Sequence, residues 1–179
     1  MNLQINVRDE YAQLRTFYDE TAALLDESDD VLFETHPAVS GWSPAQHLYH
    51  VWIANGKSLA AALYIAHGRG DADGSPNDAG RAVLETESMP RNRMQAPDSV
   101  SPSDDLDRNT LSETLVRSRS KFEELGEQRD TLAAATGRLP HPRLGALNGP
   151  QWLRFVRIHA QHHHAIIRDI LSSDPTPSR

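Results

Sequence analysis

The segment that most constrains the fold of this chain is QWLRFVRIHAQHHHAIIRDI, residues 151–170. A helix advances about 100° per residue, so Trp152 lies on the same face as His159 and His163, and the two histidines are one turn apart. The opposite, polar side holds His164, Arg157 and Arg168. The segment therefore predicts a helix whose inward face carries two imidazoles, with His164 on the protein surface.

A second helix is predicted to begin at Ser43. Serine at the N-cap and Gln46 three residues later form a capping box, and Pro44 occupies the first helical position, where its missing N–H costs nothing. The helix extends to about residue 67. One face carries His50, Ala54, Lys57 and Ala61, and the opposite side carries Leu48, Trp52 and Leu59.

A helix that is apolar on two sides is either central in the fold or lies against a partner subunit. One bundle interior cannot easily use both stripes of the second helix, so the stripe of Leu48, Trp52 and Leu59 predicts a homodimer. A monomer in which residues 68–109 cover this stripe is the alternative.

The remaining helical patterns complete an all-α fold without a convincing strand. A first helix covers residues 7–28, and a third begins at Thr110, with Glu113 completing a capping box, and ends near Gly137. The fourth begins at Asn148, followed by Gln151, and ends at about Ser172.

Glycine and proline interrupt residues 68–109, where only a short helical turn near residues 82–87 is expected. A connection of this length favours a crossover between helices two and three. The sequence thus predicts a single domain over residues 1–179, a four-helix bundle with a long crossover loop at 68–109 and a disordered tail at 173–179.

Three histidines form the predicted metal site. His159 and His163 on one helix and His50 on another supply three imidazole nitrogens and leave positions open for water or substrate, as in catalytic zinc sites. Inward histidines can also be hydrogen-bonded core residues, but two on one apolar stripe with a third on a capped core helix favour a metal. Zinc and nickel both suit imidazole ligands.

Other candidates have weaker patterns. His47 lies one turn before His50 and is the nearest candidate for a catalytic general base. Lys57 either extends to the bundle edge or binds an anionic group of the substrate. Trp42 either anchors the packing before the Ser43 cap or lines a pocket.

Composition excludes several classes of function. Eighteen basic and 25 acidic residues give a formal charge of −7, which disfavours nucleic acid as a partner. The chain has no cysteine, so any thiol must come from a substrate or cosubstrate. The residue pattern predicts neither a signal peptide nor a membrane span, and a cytoplasmic protein with a small-molecule substrate is expected.

Two stretches, GWSPAQHLYHVW at 41–52 and HAQHHHAI at 159–166, resemble the DinB/YfiT-like superfamily of four-helix-bundle metalloproteins. The family pattern places metal ligands at His50, His159 and His163. The resemblance implies a dimer that binds nickel, zinc or a similar divalent metal, and relatives that are thiol-dependent transferases or isomerases. The extra histidines His47 and His164 depart from the family pattern.

Three functions follow as hypotheses. The metal site can activate a cosubstrate thiol in a transferase, which the resemblance favours, or activate water in a hydrolase of a small substrate. The third hypothesis is a non-catalytic metal-binding stress protein. A turnover assay separates them. The transferase needs a thiol for turnover, the hydrolase turns over without one, and the binding protein shows no turnover.

Overall fold

A computed structural model describes residues 3–91 and 96–173 of the chain, which are mostly helical. The helices are α1 (Val7–Ala23), α2 (Asp29–Phe33), α3 (Pro44–Ala66), α4 (Asp78–Thr86), α5 (Arg108–Glu127), α6 (Arg129–Ala134) and α7 (Gly149–Ser172). The four long helices α1, α3, α5 and α7 overlap the four helical patterns of the sequence. None of the helices in the described residues is long and apolar enough to cross a membrane.

Side-chain caps fix the first residues of α3 and α7. The Ser43 hydroxyl accepts a hydrogen bond from the Gln46 N–H at 3.3 Å, and the Gln46 side chain accepts one from the Ser43 N–H at 3.0 Å. Asn148 and Gln151 exchange the same two bonds, each 3.0 Å long. The helix starts predicted at Ser43 and Asn148 are confirmed, and they belong to the two helices that carry the candidate histidines.

The predicted limits of the third helix are wrong. The Asp107 carboxylate accepts a hydrogen bond from the Thr110 N–H at 2.7 Å, so Asp107 is the N-cap and Thr110 lies inside the first turn of α5. The helix ends at Glu127, well before Gly137, and the short α6 follows it. The first helix also ends early, because α1 gives way to a 3-10 turn at Leu24–Asp26.

A small β-hairpin precedes α7, which corrects the expectation of a chain without strands. Strands β1 (Arg138–His141) and β2 (Gly145–Asn148) pair antiparallel, with Leu139 opposite Leu147. Four residues are too few for a recognisable alternation of apolar and polar residues. Gly145 has a φ of +80°, a conformation that side chains disfavour, which lets the chain turn between the strands.

The connection at 68–109 contains more structure than predicted. Helix α4 begins at Asp78, ahead of the expected turn at 82–87, because the Asn77 side chain accepts a hydrogen bond from the Gly80 N–H. A 3-10 turn at Asp98–Val100 contacts α3. The predicted disordered tail at 173–179 lies outside the described residues except for Ser173.

Helix α3 occupies the middle of the fold. It packs against both α7 and α5, and α1 packs against α7. Leu48, Trp52 and Leu59 are fully buried within the single chain. The second apolar stripe of α3 therefore contacts the chain's own core, and the argument for a homodimer from this stripe is wrong.

Candidate metal centre

The contact between α3 and α7 brings together the three histidines selected from the sequence. His50 lies in the second turn of α3, and His159 and His163 lie one turn apart on α7. Their exposed fractions are 6%, 8% and 8%, so all three rings are buried as the helical periodicity predicted. One ring nitrogen from each lies within 4.8 Å of the other two.

The spacing of these nitrogens fits a metal ion. In a tetrahedral zinc site, bonds of about 2.0–2.1 Å place neighbouring ligand nitrogens roughly 3.3–3.4 Å apart. The Nε2 atoms of His50 and His159 are 3.3 Å apart. This pair has the separation of two zinc ligands, and the third imidazole nitrogen lies within 4.8 Å of both, so the three form a donor set that suits a divalent cation.

The hydrogen-bond partner of His50 fixes which of its nitrogens is free. Its Nδ1 lies 3.0 Å from the backbone carbonyl oxygen of Val100. A carbonyl oxygen only accepts hydrogen bonds, so Nδ1 carries the hydrogen and Nε2 keeps its lone pair. The free nitrogen is the one that faces His159. Val100 was not identified from the sequence, since a backbone acceptor on a distant turn has no sequence signal.

His163 is held by a histidine from the facing helix. Its Nδ1 lies 2.9 Å from Nδ1 of His47, whose Nε2 lies 2.8 Å from the Ser40 hydroxyl. The same hydroxyl accepts a hydrogen bond from the Trp42 N–H at 3.1 Å. Both ring nitrogens of His47 are thus engaged inside the protein. Ser40, which lies before the helix, was not selected from the sequence.

Burial keeps the clustered histidines uncharged at neutral pH. It lowers the pKa of His159 to about 3, with His50 adding to the effect, and the pKa of His47 to about 4. The pKa values of His50 and His163 are lowered too, again mainly by burial. Neutral imidazole is the form that binds metal, so protons compete little for these nitrogens at neutral pH.

Aromatic rings cover the cluster. The indole of Trp42 lies 5.3 Å from the His47 ring and 5.1 Å from the His50 ring, centroid to centroid. The Phe155 ring stacks on His159 at 5.8 Å. Trp42, which the sequence left between a packing anchor and a pocket wall, therefore lies directly against the site. In the sequence, the indication that Trp42 lies near the site was its position just before the Ser43 cap.

The candidate Lys57, and His164, which was predicted to lie on the surface, are both apart from the three-histidine cluster. Lys57 is exposed, and its amine donates a hydrogen bond to the Ser99 carbonyl at 2.8 Å, beside the turn that holds His50. His164 is not the surface residue that periodicity predicted. Only 13% of its side chain is exposed, because it packs against Phe17, and its Nδ1 lies 3.5 Å from a Glu20 carboxylate oxygen.

A buried ionic cluster lies on another part of α7. Arg154 and Arg157 donate through Nε to the two carboxylate oxygens of Glu10 at 2.7 and 2.6 Å, and both also pair with Glu87. Helical periodicity placed Arg157 on the polar surface, but it is only 3% exposed. Its partner Glu10 is 147 positions away in sequence, so no local pattern reveals the pair.

A family comparison covers most of the chain. The model of the DinB superfamily matches residues 13–167, a range that begins within α1, ends within α7 and includes the three clustered histidines. No significant match to a curated protein or to a solved structure was found. The chain therefore belongs to the DinB superfamily.

Proposed function

We propose that this chain is a metal-dependent enzyme of the thiol-dependent S-transferase type, with His50, His159 and His163 as ligands of a zinc or nickel ion. The observation that carries the proposal is the buried, uncharged set of three imidazoles with nitrogens within 4.8 Å of one another. The Nε2 lone pair of His50 points at Nε2 of His159, 3.3 Å away, which is close to the separation of two nitrogen ligands in a tetrahedral zinc site.

The ligand set determines the chemistry. When bound, a divalent cation held by three neutral imidazoles keeps its 2+ charge and lowers the pKa of a thiol or water molecule beside it. The chain has no cysteine, so a thiol nucleophile has to be brought by a cosubstrate. Trp42 and Phe155 supply apolar surface against the histidine rings, which limits the water around a bound thiol.

The other residues have supporting parts in this proposal. Val100 orients His50 through its carbonyl, and Lys57 holds the adjoining turn through Ser99. Lys57 also stays a candidate for binding an anionic group of the substrate. The histidines expose 6–8% of their surface, which favours a small-molecule substrate over a macromolecule.

In this proposal the four long helices form the bundle that the family resemblance implies. Residues 68–109 are the crossover between its second and third helices, and residues 1–179 form one domain. A homodimer and a cytoplasmic location stay predictions. The dimer now depends on the resemblance alone, because its sequence argument used a stripe that is buried within the chain.

A metal-dependent hydrolase of a small substrate is the second candidate function. The same ligand set supports it, since a cation that favours an ionised thiol also favours an ionised water molecule. A non-catalytic metal-binding stress protein is the third. The family resemblance and the apolar cover of the site favour the thiol-dependent reaction over these two.

One assay separates the three candidates. Metal-loaded protein is incubated with model electrophiles, with and without bacillithiol, mycothiol or glutathione, and His159→Ala serves as the blank. We expect turnover only when both metal and one of the thiols are present. Metal-dependent turnover that ignores every thiol supports the hydrolase, and no turnover in either condition supports the binding protein.

A further inference from the structure

We infer that His47, itself held by Ser40, is a positioning residue that fixes the ring of His163 for metal binding. The inference rests on the proposed metal site and adds a residue outside the ligand set. His47 was first considered as a general base, but a base needs a nitrogen that can reach the substrate. Both of its nitrogens are engaged by protein groups, and the residue is 3% exposed.

The direction of the hydrogen bonds follows from the ligand role of His163. Its Nδ1 faces His47 at 2.9 Å, which leaves Nε2 as the nitrogen available to a metal. Neutral imidazole carries one hydrogen, so a lone pair on Nε2 requires the hydrogen on Nδ1. His163 then donates to Nδ1 of His47.

The rest of the chain of hydrogen bonds has one consistent arrangement. Because Nδ1 of His47 accepts, its Nε2 carries the hydrogen and donates to the Ser40 hydroxyl oxygen at 2.8 Å. That oxygen also accepts from the Trp42 N–H at 3.1 Å, which uses both of its lone pairs. The opposite direction would place a hydrogen on Nε2 of His163 and prevent it from binding a metal.

The arrangement gives two of the three proposed ligands an outer hydrogen-bond acceptor. His50 donates to the Val100 carbonyl, and His163 donates to His47. Such partners orient a ligating imidazole and set its tautomer, and losing one costs about 10–100-fold in metal affinity or activity. A neutral histidine does this without adding negative charge, so the charge of the cation is not offset.

The test measures metal affinity and the electronic spectrum of the site. Metal-free protein is titrated with Zn²⁺ against a chromogenic chelator, and with Co²⁺ while the visible absorption bands are recorded. His47→Leu removes the acceptor and should weaken Zn²⁺ binding about 10–100-fold and alter the Co²⁺ bands. His47→Asn places Oδ1 where Nδ1 stood, so it should restore most of the affinity and the wild-type bands.

Further variants keep the outcome decisive. His67→Ala, at an exposed position at the end of the same helix, should bind like wild type. Ser40→Ala should lose affinity less than His47→Leu, and it decides the test if His47→Leu does not fold. Wild type that binds no metal overturns the proposed function itself. If wild type binds metal and His47→Leu has the same affinity and Co²⁺ bands, only the positioning role is overturned. If His47→Leu does not fold, the same result in Ser40→Ala overturns that role.

Discussion

His50 and His159 face each other through their Nε2 atoms, 3.3 Å apart, across the contact between α3 and α7. The Val100 carbonyl holds the hydrogen of His50 on Nδ1, so His50 offers only a lone pair to its neighbour. Two imidazole nitrogens at this distance would repel each other through their lone pairs unless a hydrogen or a cation lies between them. Without a metal, His159 donates the hydrogen of its own Nε2 to His50. As a neutral metal ligand through Nε2, His159 would instead carry that hydrogen on Nδ1.

Metal binding should be visible through Trp42. Its indole lies 5.1 Å from the His50 ring, and paramagnetic Ni²⁺ or Co²⁺ quenches a fluorophore at such short range. We expect either ion to quench the tryptophan emission of the metal-free protein, and Trp42→Phe to remove most of that response. Stoichiometric metal binding with equal quenching in wild type and Trp42→Phe would show that the ion binds elsewhere.

The buried ionic cluster should contribute to stability rather than to activity. Glu10→Gln removes the buried carboxylate from Arg154 and Arg157 and leaves them only the partly exposed Glu87, so it should lower the free energy of unfolding by roughly 3 kcal/mol. Urea denaturation of the metal-free protein measures this loss. Glu20→Gln, whose side chain is 56% exposed, is the matched control and should change stability by about 0.5 kcal/mol or less. Equal losses of stability in Glu10→Gln and Glu20→Gln would contradict a stabilising role for the buried ionic cluster.

His141 should make stability depend on pH. Burial, with Arg143 adding to it, lowers the pKa of His141 to about 4, and its Nδ1 accepts hydrogen bonds from the Arg143 and Leu144 N–H groups at 3.2 Å. Between pH 6.5 and 4 the unfolded chain therefore binds a proton that the folded chain does not. Stability falls as the pH is lowered through this range.

His141→Asn tests that origin, because the asparagine oxygen can accept the same backbone hydrogen bonds but does not titrate. We plot the free energy of unfolding against pH from pH 7 to 5. The slope should be smaller in the variant, by an amount that corresponds to the uptake of up to about one proton on unfolding. Identical slopes would assign the pH dependence to other groups.

Local signals allowed the helices that carry the site to be predicted. The capping boxes at Ser43 and Asn148 involve residues three positions apart, and the inward faces of His50, His159 and His163 follow from helical spacing. The same kind of signal failed at Thr110, where Asp107 competes as the cap and forms the hydrogen bond.

Long-range relationships were not predictable from one sequence. Arg157 was predicted to be a surface charge from its place on the polar side of its helix, yet it is buried because Glu10, 147 positions away, supplies a counter-charge. Trp52 was predicted to lie at a subunit interface, because nothing in the sequence places α5 against the far side of α3. The acceptors of the site, Val100 and His47, similarly depend on how distant segments meet.

The most direct test of the metal site is a stoichiometric titration. Metal-free wild type, His159→Ala and His164→Ala are each titrated with Zn²⁺ and analysed for bound metal after gel filtration. We predict one ion per chain in wild type and in His164→Ala, whose imidazole lies outside the cluster, and near-complete loss in His159→Ala. Undiminished binding by His159→Ala, or no bound metal in wild type, would contradict the three-histidine site.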